Sequence, residues 1–252
     1  MLYNSTIRLS LKTYGGINWA YLTGFEQVVT NGAATYYAID FGSSPSRIVT
    51  YNQFWIYQGY QSLPCPNTYT VKYVGGYFYF SSDFYFYKTN SSFSVINYFY
   101  KSDAYFRQIV YDQSSSKFYV STSVYPPVYQ IYAFDSSCSP LPSINLMGKV
   151  FGLAAFDGRM YASTGGTQIG ILLNGQYNNY FSVYPHSNIA SITFDSFGYM
   201  AISCDDNKVV VYDRNGNYMQ RTVTTLNSPY VTAIDSNGRF VIMTKYSLDI
   251  YY

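Results

Sequence analysis

Charge is what this sequence has least of. Asp, Glu, Lys and Arg together make up 11% of its 252 residues, against about a quarter in an average globular chain. A single Glu, Glu26, stands among acids that are otherwise all Asp. Wet helix faces are built from Glu, Lys, Ala and Leu, so their scarcity argues against helices. The formal net charge is +2 and no basic block occurs. Phosphate binding needs clustered positive surface, so nucleic acid is not expected as a partner. No run of about 18 apolar residues is present, which excludes a transmembrane helix and makes membrane insertion unexpected. The start, Met1 to Ser5, lacks the charged and apolar regions of a signal peptide.

Histidine occurs once, as His186, and cysteine three times, as Cys65, Cys138 and Cys204. With no CxxC and no His partner at ligand spacing, no Cys-His zinc set is expected. No GxSxG elbow accompanies the lone His. Gly75-Gly76 and Gly165-Gly166 are turn glycines with no helix after them, so they cradle no phosphate. Neither a catalytic residue nor a cofactor is therefore expected.

What is present is aromatic. Phe, Trp and Tyr make up 21% of the chain, with 33 Tyr and 18 Phe. Such residues suit pleated, half-buried surfaces and lean the reading towards strands. A repeat organises them. Ile192-Thr193-Phe194-Asp195-Ser196-Phe197-Gly198-Tyr199-Met200-Ala201 reads as strand, turn, strand, and Val231 to Ile242 repeats it forty residues later. Looser copies precede them. The turn anchors are Asn31, Gly75, Asp112, Asp157, Asp195 and Asp235, spaced 44, 37, 45, 38 and 40. Each is a residue that supports a hairpin turn.

A second phase keeps the same rhythm. Third strands are expected over Arg47–Asn52, Phe84–Asn90, Val128–Asp135, Gln168–Asn174 and Lys208–Asp213. Fourth strands are expected over Phe54–Tyr60, Phe93–Tyr100, Ile144–Met147, Tyr180–Tyr184 and Met219–Thr225. Units of about 40 residues with four short antiparallel strands are β-propeller blades. The expectation is one all-β domain over residues 1–252, a six-bladed β-propeller of four-stranded antiparallel blades. An open solenoid or two packed sandwiches are the competing architectures. The sixth unit stops one strand short at Tyr252, and Thr6–Lys12 alternates apolar and polar, so the N-terminal strand is expected to close the ring.

Blade five carries a resemblance. Asn207-Lys208-Val209 followed by Tyr212-Asp213-Arg214-Asn215-Gly216 is similar to the NHL repeat, as is blade six less closely; the match is weak before residue 150. The resemblance implies a six-bladed ring with varied roles, among them protein binding, RNA binding and, in distant relatives, catalysis. Glu26, five residues before Asn31, and Asn188, seven before Asp195, also resemble positions of the calcium-dependent lactonase and gluconolactonase propellers. That resemblance implies a metal-binding Glu and a ligand Asn. The Asp expected five residues before another anchor is Tyr230 here, and Gln27-Val28 replaces the usual Gly-Pro. One carboxylate and one amide are a poor cage for a hard cation.

In a propeller, the second-to-third loops and the blade-to-blade connections share one face, where binding residues usually lie. Tyr105, Tyr125, His186, Asn188, Tyr230 and Tyr246 are placed there, with Glu26 and Arg107 at the channel mouth as the only charges among the positions five residues before each anchor. A structural pair or two solvated charges is one reading of Glu26 and Arg107; a ligand-binding pair is the sharper one. Asn4-Ser5-Thr6 and Asn90-Ser91-Ser92 are N-glycosylation sequons. Together these features lead to an expected non-catalytic recognition or assembly module, binding a protein or glycan through a Tyr-rich loop face, extracellular or part of a larger secreted protein. A degenerate calcium-dependent lactonase-like hydrolase is the alternative. The sequence leaves the oligomeric state open.

Overall fold

The computed structural model describes residues 6–10, 22–30, 32–41, 43–123, 129–146, 148–173, 176–183, 185–186, 188–225, 227–244 and 247–251. These residues form six sheets of four antiparallel strands. The first strand is β1 (Thr6–Ser10). Blade 1 follows, with β2 (Leu22–Thr30), β3 (Ala33–Asp40), β4 (Arg47–Tyr51) and β5 (Tyr57–Ser62). Blade 2 is β6 (Thr68–Val74), β7 (Tyr77–Ser82), β8 (Tyr85–Thr89) and β9 (Val95–Tyr100). Blade 3 is β10 (Phe106–Asp112), β11 (Lys117–Thr122), β12 (Tyr129–Phe134) and β13 (Pro140–Leu146). Blade 4 is β14 (Gly152–Phe156), β15 (Arg159–Ser163), β16 (Gln168–Leu173) and β17 (Gln176–Ser182). Blade 5 is β18 (Ile189–Phe194), β19 (Tyr199–Cys204), β20 (Lys208–Asp213) and β21 (Tyr218–Thr224). Blade 6 is β22 (Pro229–Ile234), β23 (Phe240–Thr244) and β24 (Ser247–Tyr251), completed by β1.

Closure is as the sequence predicts. β1 pairs antiparallel with β24, from Thr6 opposite Tyr251 to Ser10 opposite Ser247. The edge that β24 would otherwise present is thereby covered.

The packing explains the aromatic content. The buried apolar residues fall into six clusters, one for each contact between neighbouring blades. Phe25, Tyr36 and Trp55 meet Val241, Met243 and Ile250 across the blade 1–blade 6 seam. Tyr79 and Phe86 meet Phe106, Phe118 and Phe134 between blades 2 and 3. Side chains alternate along a strand, so one strand feeds two clusters. In β7, Tyr79 faces blade 3 while Phe78 and Phe80 face blade 1. Such strands are buried on both faces, which is why β7, β19 and β23 read as nearly unbroken apolar runs.

The filling changes around the ring. Between blades 2 and 3 it is mostly Phe and Tyr; between blades 5 and 6 it is mostly Val, Ile and Ala. The repeat pattern is clearest where the filling is aliphatic.

Asp112, Asp195 and Asp235 act through their side chains, whereas Gly75 and Asp157 turn at positive φ and Asn31 lies outside the described residues. Asp195 Oδ1 accepts from the backbone N–H groups of Phe197 and Tyr199, both at 2.8 Å. Asp235 does the same with Asn237 and Arg239. The third-to-fourth turns repeat the device with Asn52, Asn90, Asp135 and Asp213. Three residues after the anchor the backbone turns left-handed. Gly198, Gly216 and Gly238 take that place at low cost, whereas Trp55, Phe93 and Cys138 hold it at φ of 62°, 59° and 63°.

The third strands lie within a residue or two of expectation, as do β9 and β21, and the other fourth strands are displaced. β13 begins at Pro140 and β17 at Gln176, each four residues before the expected start, and β5 begins three residues late. Pro140 and Pro142 argue against a strand by propensity, but an outermost strand has one set of N–H groups with no ladder to join.

Candidate functional site

The inner strands β2, β6, β10, β14, β18 and β22 surround a central cavity of about 340 Å³. Its upper end, on the face of the blade-to-blade connections, is shaped by bulges. The register slips between Leu22 and Gly24, Thr68 and Thr70, Phe106 and Ile109, Ile189 and Ser191, and Pro229 and Val231. At this end of the cavity neighbouring strands come very close. A Cβ on Gly24 would sit 2.8 Å from the Thr70 Cα, and one on Gly152 would sit 2.8 Å from Ile192 Cγ1.

At the same level hydroxyls stitch blades together. Thr70 Oγ1 lies 2.8 Å from Ser81 Oγ and donates to the Arg107 carbonyl at 2.8 Å. Ser191, Ser203 and Thr232 form a second such set, fully protein-bonded.

The bulges separate Glu26 from Arg107. Counting five residues back from each turn anchor treats the two as level, but the hairpin loops differ in length. Strand pairing instead aligns Gly24 with Thr70, opposite Ile39 and Ser81. Glu26 therefore lies two residues deeper, on the cavity wall, where the equivalent residue of blade 2 is Lys72. Lys72 Nζ binds Glu26 Oε2 at 2.8 Å, and the Tyr73 N–H donates to Oε1 at 3.1 Å. Both oxygens of Glu26 are engaged, and it does not pair with Arg107. Among the described residues, no three His, Cys, Asp or Glu converge as a metal centre would require. The donor set around Glu26 does not fit a divalent cation, since an ammonium already holds one oxygen.

Arg107 sits at a bulge, on the loop face. Its Nη1 donates to Asp83 Oδ1 at 3.0 Å. Asp83 also accepts from the Tyr69 hydroxyl at 2.7 Å and from Asn67 Nδ2 at 2.6 Å. The guanidinium lies 3.8 Å from the Tyr69 ring centre and 5.7 Å from that of Tyr105. Phe41 stacks against Tyr69 at 4.8 Å, and Phe84 packs against Tyr105 at 5.2 Å. Five side chains thus run across the loop face in a row, Phe41, Tyr69, Arg107, Tyr105 and Phe84, drawn from blades 1 to 3. Burial, and then the bond to Asp83, push the Tyr69 hydroxyl pKa well up, outweighing the lowering by Arg107. Tyr69 remains a neutral donor at any ordinary pH.

A second polar group occupies the same face between blades 4 and 6. His186 Nδ1 lies 3.0 Å from Asp206 Oδ2, with 16% of the His side chain exposed. Asn188 Nδ2 donates to Asp205 Oδ2 at 2.8 Å. Asn188 does not line the cavity with Glu26. The structure thus brings Tyr105 together with Arg107, and places His186 beside Asn188 through Asp205 and Asp206. Tyr125, Tyr246, Asn4 and the side chain of Tyr230 lie outside the described residues. Asn90 is in the β8–β9 turn, its Oδ1 accepting from the Ser92 and Ser94 N–H groups.

The largest apolar exposures lie elsewhere. Phe197 is 84% and Phe54 71% exposed, both in hairpin turns of the opposite face. Tyr98 and Tyr100 are exposed on the outer strand β9. Reading from turn anchors missed Tyr69, Lys72 and Phe41. Aligning the repeats on the bulges would have placed Lys72 beside Glu26.

No protein-family model matches the chain, and no curated protein matches it. Among solved structures, it is similar to the X-ray structure of a protein assigned as a gluconolactonase. The two share 13% identity with a TM-score of 0.72, over 98% of this chain and 92% of that one. At that identity the likeness carries the shape alone, and the shape is that of a six-bladed β-propeller.

Proposed function

We propose that this propeller is a non-catalytic recognition module whose loop face binds a protein or glycan, a role that the NHL-like run Asn207 to Gly216 of blade five would allow. The observation that carries the reading is the row Phe41, Tyr69, Arg107, Tyr105 and Phe84. A guanidinium held between aromatic rings and tied to a carboxylate has little conformational freedom left to lose on binding. Tyr and Arg are the residues that most often anchor interfaces. An extracellular setting and a glycan on Asn90 accord with this role, since Asn90 lies in an outer turn with its Oδ1, not its Nδ2, holding the backbone.

A calcium-dependent lactonase-like hydrolase is the second reading. It draws on the shape shared with the gluconolactonase structure and on Glu26 at the cavity wall. The Lys72 bond to Glu26 weighs against it. Calorimetry with calcium separates the two, since the hydrolase reading requires binding tighter than about millimolar that Glu26→Gln abolishes. The recognition reading is tested on a glycan array with two paired variants. Arg107→Ala with Tyr105→Ala alters the loop face, and Ser196→Arg with Asn237→Arg alters the hairpin face. Signal lost only in the first pair supports the loop face. Signal lost only in the second, with both proteins folded, assigns the wrong face, and an array with no signal overturns glycan recognition.

A further inference from the structure

Arg107 uses one of its three nitrogens. Nη1 serves Asp83 and the Phe106 carbonyl, at 3.0 and 3.2 Å. Nε and Nη2 donate to no carbonyl or carboxylate among the described residues, the Tyr69 hydroxyl being the other polar group close to the guanidinium, and 27% of the side chain is exposed. These two N–H groups form the edge of the guanidinium that matches a carboxylate bidentately. The plane of that edge is set by Tyr69 beneath it and by Asp83, which Tyr69 and Asn67 hold in turn. A fork fixed in this way is a preorganised carboxylate receptor.

The surroundings narrow the ligand. Lys101, on this side of the face, is bound to Asp103 at 2.8 Å, and Lys149 stands over the Phe151 ring at 5.0 Å. Beside the fork stand Asp83, already bonded by Arg107, Tyr69 and Asn67, and the neutral groups Asn67 and Tyr105. A polyacidic peptide would find a single guanidinium fork, with no second Arg beside it among the described residues. A ligand with one carboxylate on a ring of hydroxyls would find one fork, amide and hydroxyl partners, and aromatic surface for its C–H face.

We propose that the Arg107 site binds a uronic acid residue, its carboxylate bidentate on Nε and Nη2. This rests on the recognition reading given above and names its ligand class. The test uses the intact protein and simple probes: free galacturonate and glucuronate, their methyl esters, the parent neutral sugars, acetate, and an oligoglutamate peptide, each followed by calorimetry or saturation-transfer NMR. The expected result is binding of at least one uronate. Its methyl ester and neutral parent should bind at least about tenfold more weakly, and so should acetate, since a charge-assisted bidentate pair is lost in the first two and the sugar contacts in the third. The methyl ester tests the charge without altering the protein. Arg107→Lys keeps the positive charge but not the fork, and should lower uronate affinity at least about tenfold while leaving the melting curve near that of the wild type.

Ester and acid binding alike would overturn the proposal, as would acetate matching the uronate or Arg107→Lys leaving affinity unchanged. Oligoglutamate binding through Arg107 without uronate binding would overturn the sugar assignment and leave recognition by the loop face standing. If loop-face variants fail to affect any array signal, the recognition reading falls as well.

Discussion

The seam between blades 1 and 6 should be held by a buried polar cluster whose members act as a unit. Tyr36, from blade 1, reaches across to blade 6. Arg239 Nη2 donates to the Tyr36 oxygen at 2.7 Å, and Arg239 Nε donates to Asp235 Oδ2 at 2.6 Å. The Asp235 side chain is wholly buried, and its Oδ1 takes the Asn237 and Arg239 backbone N–H groups. Trp55 stacks on Tyr36 at 4.0 Å and shuts out water. Tyr36→Phe removes the short bond from Arg239 and two long ones, to Asp235 and from Gln27, both at 3.4 Å, and the charged bond alone should cost about 1.5–3 kcal/mol. At about 2–4 °C per kcal/mol for a chain of this size, the melting temperature should fall by about 3–12 °C. Arg239→Leu leaves the buried Asp235 carboxylate without its cation, with only its backbone donors and the long Tyr36 hydroxyl bond at 3.4 Å, and should cost about 3–5 kcal/mol. Both changes delete the same Tyr36–Arg239 bond. The double variant should therefore be less destabilised than the sum by about 1–2 kcal/mol. Urea unfolding followed by fluorescence and circular dichroism measures the cycle, with coincident curves required for two-state treatment. Additivity within about 0.5 kcal/mol, or a Tyr36→Phe protein as stable as the wild type, would refute the claim that this cluster locks the ring.

Other outcomes follow from the same structure. Deleting residues 1–10 removes β1 and bares the β24 edge. At about 1 kcal/mol per ladder bond the loss should reach several kcal/mol, with a tendency to associate seen by light scattering; unchanged melting would contradict ring closure. The Ser137 hydroxyl, outweighing burial, holds the Asp135 carboxyl below its ordinary range, with the Ser139 and Ser137 N–H groups helping. A lowered folded-state pKa contributes stability above the unfolded value of about 3.9 and loses it as pH falls through the folded one. Asp135→Asn, keeping the turn as Asn52 and Asn90 do, should therefore flatten the acid limb of a stability–pH curve below about pH 4, and an unaltered limb would show that the turn carboxylate contributes nothing there. Burial raises the thiol pKa to about 11 for Cys65 and about 12 for Cys138 and Cys204. The three lie in or against different core clusters, so a thiol reagent at neutral pH should react slowly with the native protein and with three equivalents after unfolding; rapid native labelling or a missing equivalent would overturn this.

Local chemistry made the architecture readable. Asp195, Asp213 and Asp235 each precede a Gly by three residues, a pattern that follows from a carboxylate capping two N–H groups and a glycine turning left-handed. Strand alternation and the missing outer strand of blade 6 then led to six blades and to Thr6–Lys12 as the closing strand, of which Thr6–Ser10 is seen paired. The fourth strands were harder to place. Their residues face solvent on the rim, so neither β13 with its prolines nor the polar β17 shows a strong periodic pattern.

The site depended on contacts between blades. Sequence alone singled out Glu26 and Arg107, because charge is scarce and both fall near the channel. It could not assign their partners. Lys72 is 46 residues from Glu26, and Asp83 is 24 from Arg107. A one-residue bulge at the head of an inner strand decides which side chain enters the channel and which turns to the loop face, and composition carries no trace of that slip. The residues therefore determined the repeat, the ring and its aromatic filling, which rest on bonds within a few residues and on period-two burial. Only the tertiary structure separated the Glu26–Lys72 pair from the Arg107 stack, because the register between neighbouring blades is set by packing across the whole ring.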